Sequence, residues 1–330
     1  MGRLSTGVLF LLIMCSLPQL AMAQNMSADD AAEDLQLQGE YSGRIQLGGE
    51  DQEKIGVQII ALGDNQFQGV AYFGGLPGDG WDQTETHSME AGLTDGQIVF
   101  EDAGSKLVLA DGVVQLWGED DGGAPLAMGS LARVQRQSQS LGKQPPEGAT
   151  VLFDGSDGSQ FTAGSNEPMV DGVLRQGIRT HENFGDCHLH IEFKLPFEPD
   201  KRDQARGNSG LYMQGRYEIQ MLDSFGLSGE HNECGGIYSV KKPDVNMCYP
   251  PESWQTYDID FTAARWNEDG EKAASARITV YHNGVLIHDD VEIPNPTTAA
   301  PLEESPEPGF IYLQDHGSQV RFRNIWLVEK

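Results

Sequence analysis

The stretch HLHIEFKL, residues 188–195, decides how this chain folds. Leu189, Ile191, Phe193 and Leu195 alternate with His188, His190, Glu192 and Lys194. A period of two puts the apolar set on one face of a β-strand and the polar set on the other. The first face predicts a core, the second solvent or a cleft. Segments 254–261 and 277–288 alternate in the same way. Within the latter, Asn283-Gly284 between apolar runs is a strong hairpin signal. Segments 311–314 and 320–328 complete the set, and no amphipathic helix of three turns or more is visible. The second half of the chain, residues 147–330, therefore reads as a two-sheet antiparallel sandwich.

Working outward, 330 residues are enough for two cores. Short alternating segments at 41–47, 56–61, 66–72, 97–101 and 113–117 are separated by turn signals. Gly63-Asp64-Asn65, Thr94-Asp95-Gly96 and Ala110-Asp111-Gly112 are the clearest. They predict a smaller all-β accessory domain over residues 39–135. Its aromatic, glycine-rich loop YFGGLPGDGW, residues 72–81, is a candidate surface for a glycan or a protein partner of unknown identity, with a structural accessory role as the alternative. Residues 24–38 read as a polar leader. The stretch RQSQSLGKQPP, residues 136–146, reads as the interdomain linker.

The chain carries 22 basic and 50 acidic residues, a formal net charge of -28. Such a surface repels phosphate backbones, so nucleic acid is not an expected partner. Arg3, an apolar run over residues 8–14 and Ala21-Met22-Ala23 form a signal-peptide pattern, with cleavage expected after Ala23. The expectation is an exported protein, periplasmic or secreted. Lipoprotein anchoring at Cys15 is the rival reading, and no segment is long enough to span a membrane. Of the remaining cysteines, Cys234 and Cys248 flank one loop and are the expected disulfide in an oxidising compartment. Cys187, inside a strand, reads as a buried thiol. No cofactor is predicted. Glu119-Asp120-Asp121-Gly122 lacks a full calcium-ligand spacing, and no other motif supports a metal ion.

The stretch GNSGLYMQGRYEIQMLDSFG, residues 207–226, reads as a hairpin with an unusually charged second strand. Ile219 and Met221 share one face; Glu218 and Gln220 share the other. A bulge near Met221-Leu222 would bring Asp223 to the polar side. Two carboxyls on one sheet face are a candidate acid/base pair. The plain alternative is a solvated sheet face, and the same alternative applies to His188 and His190.

Further motifs stand in order along the chain. They are GNSG (207–210), YEIQMLDS (217–224), CGGIY (234–238), WQTYD (254–258), LQDHG (313–317) and RFRNIW (321–326). Together they resemble the DUF1080 family, also called the 3-keto-disaccharide hydrolase domain, over roughly residues 146–330. The resemblance implies a concanavalin-like jelly roll and hydrolysis of 3-keto-glycosides, with a small carbohydrate as substrate. A ketone at C3 acidifies the C2 proton, so elimination followed by water addition gives net hydrolysis. The candidate roles are Glu218 as base, Arg216 or His316 as oxyanion stabiliser, and Asp223 as acid or orienting partner. Asn208, Tyr212, Gln220 and Glu192 are candidate substrate-binding residues, with Trp254 as a stacking platform. The alternatives are a retaining β-glucanase and a non-catalytic sugar-binding module. Glu218, Gln220 and Asp223 only approximate the glucanase pattern E-x-D-x-x-E.

Overall fold

The computed structural model describes residues 28–46, 52–102, 104–120, 122–163 and 167–330. The signal-peptide reading, with Cys15, falls on residues outside these. So does Asp121 of the acidic loop, in which Asp120 caps its own turn by accepting from the amides of Gly122 and Ala124. Part of the polar leader is a helix, α1 (Ala28–Leu37), in which alanine, leucine, glutamate and glutamine favour helix. Its C-terminal end is anchored to the strands of the first domain. Tyr41 Oη donates to the Leu37 carbonyl at 3.0 Å, and Arg133 donates to the carbonyls of Gln36 and Gln38.

Eight antiparallel strands then close into a barrel. They are β1 (Gly39–Gln46), β2 (Gln52–Gly63), β3 (Gln66–Phe73), β4 (Thr86–Thr94), β5 (Gln97–Asp102), β6 (Ser105–Ala110), β7 (Val113–Glu119) and β8 (Pro125–Val134). The β1–β8 pairing, Glu40 against Val134, completes the closure and leaves no edge. The turn signals fall at strand ends. Asp64, Asn65, Asp95 and Asp111 all adopt φ between 50° and 58°, which short polar side chains tolerate best. Tyr41, Val57, Phe67, Phe100, Leu109 and Leu131 fill the interior.

The C-terminal half is the expected sandwich. Its smaller sheet runs Phe161–Ala163, Ile178–Thr180, Tyr312–Leu313, Ser209–Met213, Tyr217–Met221. The larger sheet has eight strands, with Arg321–Glu329, Cys187–Lys194, Trp254–Thr262 and Ala276–His282 as central neighbours. Leu189, Ile191 and Phe193 meet Leu211, Ile219 and Met221 in one core. Asn283 and Gly284, with φ of 53° and 83°, make the expected two-residue hairpin turn.

The two halves are joined by contacts from both the 72–81 loop and the linker. The loop 72–81 takes the structural role, as an interdomain contact. Tyr72 packs edge-on against Trp81 at 5.1 Å, and both join the sandwich core with Ile60 and Val70. Gly78 lies against Met247 and Val285, where a side chain would collide. The linker is anchored along its length. Arg136 pairs with Glu40, and Ser138 Oγ lies 2.6 Å from Thr256 Oγ1. The Gly142 amide donates to Glu192, and Lys143 reaches Asp258 at 3.1 Å. Residues 136–146 therefore cover the outer face of the larger sheet.

Candidate active site

The hairpin Ser209–Met213 and Tyr217–Met221 pairs Tyr212 with Glu218 and Gly210 with Gln220. Leu211 and Ile219 point into the core, so Tyr212, Glu218 and Gln220 share the opposite face. Gly210 is needed there, because a Cβ at that position would run into the Glu218 carboxylate. Tyr212 Oη donates to Glu218 Oε2 at 2.8 Å and accepts from Gln314 Nε2 at 3.2 Å. The Glu218 amide donates to Thr297 Oγ1 at 2.9 Å, which fixes the backbone beneath the carboxyl.

These groups line a cleft of about 120 Å³. Asn208, Tyr212, Glu218, Gln220 and His316 meet there as the sequence suggested, joined by Gln204, Tyr238, Thr298, Ala299 and Gln314. Gln204 belongs to the short 3-10 turn Asp203–Ala205 before the hairpin, and no motif pointed to it. Gln314 lay inside the LQDHG motif beside His316. Glu218 is the one carboxylate among the described lining residues. Burial pushes its pKa up to about 7, against a smaller downward pull from the Tyr212 hydroxyl. Burial, the Glu218 charge and the hydrogen bond to it push the Tyr212 phenol up, so it stays protonated and donates. Asn208 Nδ2 donates to the Gln204 carbonyl, while its buried Oδ1 has no protein partner. An unpartnered buried acceptor is suited to a hydroxyl donor from a ligand.

Four candidate residues lie elsewhere. The strand ends at Met221 without the expected bulge. Asp223 instead turns away to accept from Arg206 Nε at 2.6 Å, and the same guanidinium donates to the Ala61 carbonyl of the barrel. Asp223 is thus an interdomain strut, not an acid in the cleft. Arg216 is spent on the 303–307 segment, donating to the carbonyls of Glu303 and Glu307 and to Ser305. Glu192 lies on the outer face of the larger sheet beneath the linker, held by Arg323 at 2.7 Å, Asn324 at 2.9 Å and the Gly142 amide. Trp254 shares that outer face and is covered by the Arg323 guanidinium at 4.0 Å, so it offers no sugar platform in the cleft. The expected disulfide is also absent. Cys234 and Cys248 are buried free thiols beside one another, with Cys234 Sγ 3.3 Å from Tyr257 Oη.

Among the described residues, no helix is long and apolar enough to cross a membrane, and no cluster of three His, Cys, Asp or Glu side chains is placed to hold a metal. A crystal structure from Parabacteroides distasonis, described as a candidate glycosyl hydrolase, is 34% identical with a TM-score of 0.51. It covers 56% of this chain and 85% of its own. A second from the same organism, described likewise, is 18% identical with a TM-score of 0.42, covering 56% and 95%. No curated protein matches the chain. The family profile described as a 3-keto-alpha-glucoside-1,2-lyase-like domain matches residues 148–328. With that match over more than half its length, and with residues of the GNSG, YEIQMLDS, CGGIY and LQDHG motifs on one hairpin-lined cleft, the chain belongs to the 3-keto-disaccharide hydrolase (DUF1080) family.

Proposed function

We propose that this chain is a carbohydrate-acting hydrolase that cleaves 3-keto-glycosides by elimination and rehydration. The observation that carries the reading is Glu218, a buried lone carboxylate with a pKa of about 7 in a polar cleft of the family's domain. A base tuned near the working pH is what removal of an acidified C–H requires. Ionised Glu218 takes the C2 proton of the 3-keto sugar. The C–H electrons pass into the C3 carbonyl as an enolate, whose collapse restores the ketone, forms the C1–C2 double bond and breaks the C1–oxygen bond. The proton then passes from Glu218 to the departing oxygen, and water added across the double bond gives free 3-keto sugar. Tyr212 orients the carboxylate, and His316 at the rim donates to the developing enolate oxygen. Asn208 Oδ1 and Gln220 receive sugar hydroxyls.

The β-glucanase alternative needs a second carboxylate roughly 5 to 9.5 Å from the first, facing the same substrate. Asp223, its candidate, faces Arg206 and the barrel. The proposed setting is outside the cytoplasm, by the signal pattern at residues 1–23. The test compares a disaccharide with its 3-keto form, using wild type and Glu218→Gln. Release of sugar from the keto form alone, lost in the variant, supports the proposal. Cleavage of the plain disaccharide favours the glucanase. Binding without turnover of either favours a binding module.

A further inference from the structure

Among the described residues, the amino-terminal barrel is filled at one end and open at the other. At the end next to α1, Tyr41, Phe67, Phe100, Leu109, Val114 and Leu131 are fully buried. At the far end the same inward rows continue with apolar side chains that stay partly accessible. Ala71, Met89, Leu116 and Met128 are half-buried, and Phe73 is 43% exposed. They surround a cavity of about 350 Å³ whose deeper wall is Ile45, Ile55 and Leu107. Phe100, the strand partner of Leu107, sits against Gly69 and closes the barrel below. Small residues on β3, Gly69 and Ala71, keep the space above it open.

Among the described residues, the polar lining groups lie at the mouth. His87 Nε2 lies 3.7 Å from Asp102, and Glu85, Thr86 and Lys106 complete the rim beside Trp117. Both charge signs are present, so the rim selects neither anion nor cation. An apolar hollow inside a protein stays dry and takes up apolar molecules, and one of about 150 Å³ holds benzene. A hollow of 350 Å³ suits two fused rings or a branched hydrocarbon of that size. Eight-stranded barrels are also just wide enough to enclose one such ligand.

We infer that the barrel is a binding module for a small neutral apolar molecule, with the body of the ligand among Ile55, Ala71, Met89 and Leu116 and any polar end at the mouth. This site is separate from the sandwich cleft and does not rest on the proposed activity. The test titrates the chain from residue 24 with the neutral dye N-phenyl-1-naphthylamine. The expected result is a saturable fluorescence rise, one site per chain, at micromolar dye. Ala71→Phe, which fills the hollow, lowers affinity at least tenfold and leaves the melting temperature and turnover unchanged. Leu116→Phe plugs the opposite wall and serves if Ala71→Phe disturbs folding. No saturable signal in wild type, or an equal signal in both plugged variants, overturns the inference. So does a wild-type dimer that either plug converts to monomer, because the mouth would then hold a second copy.

Discussion

Two glutamates of this chain are almost equally buried and have opposite fates. Glu218 is 2% exposed and Glu192 is 1% exposed. Each sits on the polar face of a strand whose other face is core. Glu218 meets one protein donor at its carboxyl, the Tyr212 hydroxyl, and burial pushes its pKa up to about 7. Around Glu192 burial acts the same way but is outweighed by His190, Asn324, the Gly142 amide and Arg323, which hold it at about 2. Burial alone therefore does not decide what a carboxylate does; the number of donors around it does. One is left poised for proton transfer in an open cleft. The other is a clasp that fastens the linker to the sheet.

The comparison can be broken most forcefully at Glu218. Glu218→Gln should lower turnover of a 3-keto-glycoside by about 10²- to 10⁴-fold, the usual worth of a general base. Steady-state kinetics on equal amounts of folded protein checks this, and an unimpaired variant would remove Glu218 from the mechanism. Glu192→Ala should do the reverse. Leaving Arg323, which water can reach, and the Gly142 amide without their acceptor should cost about 1.5 to 3 kcal/mol in urea unfolding, with turnover per folded molecule retained. A variant as stable as wild type would mean that the clasp contributes nothing.

Stability against pH sharpens the contrast. Glu218 has a folded pKa above its unfolded value near 4.5, so its contribution is fully favourable below that value and lost as pH rises through 7. Glu218→Gln should therefore be more stable than wild type at pH 8, by at most about 3 kcal/mol, and gain little at pH 4. Glu192 has a depressed pKa, so its contribution is present above about 4.5 and fades as pH falls toward 2. Unfolding midpoints of both variants across this range would expose any failure of the pattern. The smallest expected effect is kinetic. The acid limb of kcat/KM should rise with an apparent pKa near 7, because the base must be ionised. Tyr212→Phe should shift that limb upward, since the lost hydrogen bond is one that lowers the Glu218 pKa. A limb that falls instead of rising through 7 would assign Glu218 the role of an acid.

Much of this was readable in the residues. The alternation in 188–195, the Asn283-Gly284 turn and the ordered motifs were enough for the sandwich, because strand period and turn chemistry are local properties. The hairpin bearing Glu218, Gln220 and Tyr212 was legible for the same reason. Asp223 and Arg216 were misread although they belong to that same stretch. Their side chains are claimed by Arg206 and by the 303–307 segment, which are distant in sequence. Strand β4 carries only half-buried or exposed residues, β6 holds three consecutive apolar residues over 107–109, and β8 buries Leu131 alone, so no clear period of two marked them.

The sequence by itself determined the two β units, the turns between strands and which strand carries the poised carboxylate. These follow from side-chain period and from φ preferences that act over a few residues. Only the tertiary structure decided that the first unit closes into a barrel with an apolar cavity at one end, and that the linker is a cover over Glu192. It also decided that Asp223 braces the two domains while Glu218 stands alone among polar neighbours. Closure, coverage and pKa depend on which distant donors arrive beside a group, and no short-range pattern encodes that.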